Sequence, residues 1–152
     1  MLQPIPRRLL RWALRREHAA RVAFSRELGT PLPQVAGVVV LPVAAVYARR
    51  EDAGSTERIR RDWEELPGHL DHVDELIAAR TIGGDECNAA DFQIGTTLRV
   101  MLSCANFEPL IAGRPAEGLA RGIWPDYRFR LPPMLPPEIT GTASSLARAA
   151  GR

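Results

Sequence analysis

Residues 88 to 104 read NAADFQIGTTLRVMLSC, a segment apolar over most of a helical circumference. A helix of that kind cannot stand at a surface and must be enclosed by other elements, so it belongs at the centre of a domain. Its start is marked: Asn88 and Asp91 have the spacing of a capping box, in which each side chain accepts a hydrogen bond from the other residue's backbone N–H. The negative charge of Asp91 also suits the positive end of the helix dipole. Cys87 before the cap and Phe92 at the fourth helical position are placed to form a hydrophobic staple.

The rest of the chain supplies helices to surround it. Over 7 to 28, Leu9, Ala13, Ala20, Phe24, Leu10, Leu28 and Leu14 fall on one arc of a helical wheel and Arg7, Arg8, Arg11, Arg15 and Arg26 on another, which predicts one amphipathic helix ended by Gly29. A second is expected from Thr30 as N-cap and Pro31 at the first position to about residue 50, kinked or broken at Pro42. Ser55 is placed to cap a third, with Ile59, Trp63, Leu66, Leu70, Val73 and Leu76 at spacings of three and four. Pro67-Gly68 inside that stripe reads as a junction between two shorter helices. RPAEGLARGIW, with Pro115 near its start, reads as a last helix. No segment sustains the two-residue alternation of a strand, so the class is all-α. Residues 1–136 are expected to form one helical domain, and 137–152, rich in Ala, Ser and Gly, a disordered tail.

A chain of 152 residues suits one domain with a core of its own. All 20 basic residues are arginine, which together with abundant Ala, Gly and Pro reads as a GC-rich coding sequence more than as a nucleic-acid binder. The net charge of +2 and the aromatic share of 6% also argue against nucleic acid as a partner. Cys87 and Cys104 stand singly. At about 1.5 Å per helical residue they lie roughly 25 Å apart, beyond the about 7 Å that a disulfide allows, and a reducing, cytoplasmic setting is expected. The most apolar stretch, residues 35 to 48, is shorter than the roughly 20 residues that span a bilayer, and no secretory signal is legible, so no membrane partner is expected.

His69 and His72 lie one turn apart with Glu65 on the same side, but a tight site needs a further ligand or second-shell support, and no metal is expected. Ser55 and Ser103 have no accompanying His and carboxylate pattern. Gly83 and Gly84 fit no phosphate-loop spacing. No catalytic residue is therefore assigned. The Arg7, Arg8, Arg11, Arg15 stripe is the better candidate, as a basic face for an anionic ligand or acidic partner; its plain reading is a solvated or subunit-facing surface.

In IGGDECNAADFQI, with LPGHLDHVDELIA ahead of it and GRPAEGLARGIWPDY after it, the chain resembles the C-terminal helical domain of the cytosolic glutathione S-transferases, over about residues 1 to 136. That family carries a glycine, capping box and staple at the start of its central helix. The resemblance implies a helical bundle that shapes binding of a small electrophilic substrate and contributes to a homodimer. Thiol activation, with glutathione or another low-molecular-weight thiol, would reside in a thioredoxin-like N-terminal domain that is missing here, which implies a truncated or late-started chain with little activity alone. The first helix would then line the cleft between domains, and Arg8, Arg11, Trp12, Arg15 and Tyr127 are the substrate-binding candidates. The alternative is a non-catalytic protein-interaction module of the same fold.

Overall fold

The computed structural model describes residues 2, 4–27, 29 and 55–141. The helix expected over 30–50, Leu28 and residues 142–152 lie outside the described residues. Six helices are α1 (Pro4–Arg16), α2 (His18–Glu27), α3 (Thr56–Ala78), α4 (Ala89–Met101), α5 (Glu108–Ile111) and α6 (Pro115–Ile123). A further helical turn occupies 137–141. Among the described residues there is no strand, only an isolated parallel bridge between Cys104 and Leu131, so what is described is all-α.

The expected helix over 7–28 is two helices that meet at Glu17. At the junction the carbonyls of Leu14 and Arg15 accept hydrogen bonds from the Arg21 guanidinium at 3.1 and 3.2 Å, so a side chain takes up carbonyls at the end of α1. α1 buries Ile5, Leu9, Trp12 and Ala13, a stripe at helical spacing. Gly29 ends α2 with φ +66°, and its N–H donates to the Arg26 carbonyl.

Pro67 does not divide α3, which runs unbroken for 23 residues. A proline in a helix forgoes one backbone bond. Trp63 and Leu66 on one side of it, and Leu70 and Val73 on the other, bury into the same core, which holds the helix together across the proline. Ser55 caps the helix by accepting from the Arg58 N–H.

α4 packs most extensively on α6, α1 packs on α2 and α3, and α3 also meets α6. Two features set these contacts. Asp74 of α3 accepts from the Ala116 N–H at 2.9 Å and from Arg114 Nε at 2.8 Å, so α3 caps the N-terminus of α6 and complements its dipole. Gly95 is the point where α4 and α6 come closest: a Cβ built there would lie 2.6 Å from Ile123 Cγ1 and 3.3 Å from its Cβ.

After α6 the chain doubles back in extended form. Leu131 exchanges backbone hydrogen bonds with Ser103 and Ala105, and Asn106 Oδ1 accepts from the backbone of Met134 and Leu135. Ordered structure continues past residue 136, since the turn at 137–141 places Ile139 in the core. Both cysteines are free, Cys87 exposed and Cys104 buried, and burial pushes the Cys104 thiol above its usual pKa. No described helix is long and apolar enough to cross a membrane.

Gly95→Ala is expected to lower stability by about 1–3 kcal/mol through overpacking, although it removes a glycine that costs a helix about 1 kcal/mol. Gly118→Ala on α6, where a Cβ meets nothing within 4 Å, is expected to raise stability by about 0.5–1 kcal/mol. Urea unfolding of the two variants measures the contrast; equal effects would remove the packing explanation.

Candidate docking and ligand surface

The loop ahead of α4 is built around one carboxylate. Asn88 Oδ1 accepts from the N–H groups of Ala90 and Asp91 at 2.8 and 3.0 Å, and Asp91 Oδ2 accepts from the Asn88 N–H at 2.8 Å, which completes the capping box. The other Asp91 oxygen accepts from the Gly83 N–H at 2.6 Å, while Asn88 Nδ2 donates to the Thr81 carbonyl. Gly83 has φ +71°, a conformation that only glycine adopts at little cost. With both its oxygens engaged by backbone, buried Asp91 is a structural tie.

The staple is a correction. Phe92 is 63% exposed and Cys87 is exposed too, so this pair anchors nothing in the core. The approach of the loop to α4 is fixed by the polar bonds just described, and Ile82, fully buried, is its apolar anchor. Phe92 lies on one side of α4 with half-buried Thr96 and with Val100, four residues apart in each step, and Val100 is 41% exposed; the expectation that this helix is enclosed all round is thus corrected, since one face of it is open. The Thr96 hydroxyl donates to the Phe92 carbonyl at 2.7 Å and that of Thr97 to the Gln93 carbonyl at 2.8 Å. Both hydroxyls turn back on the helix, which leaves their methyl groups to the surface.

Two grooves that share Thr97 lie along α4, and Thr96 and Val100 line one of them. One, of about 220 Å³, lies between α1 and α4, with Pro6, Leu10 and Arg7 facing Thr96 and Val100. The other, of about 290 Å³, has Leu2, Val73, Leu76 and Ile94 as its apolar floor and His69, His72 and Gln93 at its polar edge. His72 Nδ1 lies 3.2 Å from Glu75 Oε2, and the described residues contain no group of three side chains able to hold a metal ion.

The five substrate-binding candidates do not form one site. Arg8 is committed to Asp62, with Nε and Nη2 at 2.6 and 2.8 Å from the two carboxylate oxygens. Asp62 is 1% exposed and also meets Arg58 Nε at 3.3 Å. This is a bidentate, charge-assisted pair that joins α1 to α3, and the Arg8 of the presumed ligand stripe thus faces inward. Trp12 is buried in the core under the Arg16 guanidinium, 5.2 Å from the ring centroid. Arg11 and Arg15 are half-buried on α1. Tyr127 belongs elsewhere, its ring in tilted contact with those of Trp124 and Phe129 at centroid distances of 4.8 and 6.1 Å. Burial raises its hydroxyl pKa, against the pull of Ser103 and Arg99.

Asp91→Ala, which strips two backbone N–H groups of their acceptor, is expected to cost about 2–3 kcal/mol, and Asn88→Ala about 1 kcal/mol. Phe92→Ser is expected to stay within about 0.5 kcal/mol of the parent. Denaturant midpoints with unchanged slopes are the measurement; a Phe92→Ser loss as large as that of Asp91→Ala would restore the staple. The chain matches no protein-family model, no curated protein and no solved structure.

Proposed function

We propose that this chain is the helical domain of a glutathione S-transferase-like protein, and that the outward face of α4 docks a thioredoxin-like domain. The observation that carries the reading is the combination at α4. A glycine, a complete capping box and a buried tie start the helix, and the same helix then exposes Phe92 and Val100, with Thr96 half-buried between them and Thr96 and Val100 lining a groove against α1. An apolar strip of this kind is the part of a surface that a second body covers. In this reading thiol chemistry takes place on the partner domain, where glutathione or another low-molecular-weight thiol of lowered pKa attacks an electrophilic carbon. The helical domain contributes to the wall that selects the electrophile, and pairs with a second copy in a homodimer in the cytoplasm.

The corrected candidates narrow that contribution. Arg8 and Trp12 hold the fold, so the part of α1 left for a substrate or a docked domain is the side bearing Pro6, Arg7 and Leu10. The interaction-module alternative uses the same face and differs only in lacking the thiol chemistry.

The purified chain is expected to show no thiol conjugation to an aryl halide, and clear turnover would refute the division of labour. The coding sequence directly ahead of Met1 tests the reading from the other side. An in-frame thioredoxin-like segment with its cis-proline supports it, and an in-frame stop codon there overturns it in favour of the interaction module.

A further inference from the structure

The arm that follows α6, WPDYRFR over residues 124 to 130, interleaves rings with cations. Trp124, Tyr127 and Phe129 form a ladder that ends edge-on against Phe24 of α2, 5.9 Å away, so α2 braces it. Trp124, at its outer end, is 48% exposed. Beneath the ladder lies Arg99, 2% exposed, with Nε on the Trp124 carbonyl and Nη2 on that of Tyr127, both at 2.8 Å. Its guanidinium carbon is 5.3 Å from the Tyr127 ring centroid.

Among the described residues this buried cation meets only carbonyls and a ring. Its Nη1 is buried without a hydrogen-bond partner, and its pKa is lowered first by burial and then by the charges of Arg121 and Arg130. The acids nearby do not balance the group. Glu117 pairs with Arg121, Glu27 accepts from the Arg130 N–H, and Asp126 is exposed, as is Arg128. Arg130 Nη1 rests on the Leu102 carbonyl. The result is an exposed ring at the edge of a cluster of arginines whose innermost member, Arg99, meets no carboxylate among the described residues, while Arg121 is paired with Glu117.

Stacking on an indole tolerates any flat ring, and a cluster of guanidiniums tolerates any anion; only together do they define a class. We propose that this arm binds a planar aromatic anion, its ring on the exposed face of Trp124 and its carboxylate or phosphate in the field of Arg99, Arg121 and Arg130. The site is separate from the α4 face and does not rest on the transferase reading.

The chain has three tryptophans, of which Trp12 and Trp63 are buried, so the indole N–H signals of the ¹⁵N-labelled full chain report on the site, with Trp124 assigned through Trp124→Phe. Titration with 1-naphthoate or AMP is expected to move the Trp124 signal saturably. A response to the first alone assigns the carboxylate as the source chemistry, and to the second alone the phosphate. The uncharged 1-naphthalenemethanol is expected to bind at least about tenfold more weakly, and Arg121→Gln, at an exposed position, to weaken 1-naphthoate by about threefold or more. Acetate and inorganic phosphate, which have charge without a ring, are expected to leave the signal unmoved. The proposal is overturned if neither aromatic anion gives a saturable shift, if the neutral ring binds as well as the charged one, or if Arg121→Gln changes nothing.

Discussion

One carboxylate, that of Asp91, holds the centre of this protein in place. It takes backbone N–H groups from two points, Gly83 and Asn88, that otherwise have no partner in a loop without regular structure. Through it the end of α3, the glycine turn and the start of α4 become one rigid corner. The position of α4 then decides the rest: α6 lies against it across Gly95, and α3 fixes α6 from the far side through Asp74. Arg8 and Asp62 add α1 to α3 in the same way. Backbone and side-chain polar groups, each with a definite direction, thus locate helices whose apolar faces alone would allow sliding.

How much of this was legible in the chain depends on distance along it. The capping box was, because its partners lie three residues apart and helix starts obey local rules. The core stripe of α3 was too, being a matter of periodicity. The break at Glu17 was not visible on a helical wheel, which assumes the helix it describes; the bonds of Arg21 to Leu14 and Arg15 mark the joint. Pro67 misled in the opposite sense, since a local rule against proline is weaker than the shared burial of four large side chains around it.

The candidate site was harder to read for the same reason. Arg8 and Asp62 are 54 residues apart, and no pattern within α1 tells an inward arginine from an outward one. Phe92 was assigned to a staple by position, whereas the loop is secured by hydrogen bonds and Phe92 is left outside. The spacing of Phe92, Thr96 and Val100 did hold a signal, but two threonines in a row look polar until their hydroxyls are found to be spent on the helix itself.

Arg99 carries a consequence for how the molecule comes apart. Irregular segments outside helices usually open first, because little opposes their loss. Here the carbonyls of residues 124 and 127 are gripped by a side chain rooted in the central helix. The arm after α6 therefore borrows the lifetime of α4, and opening it requires the Arg99 bonds to break as well.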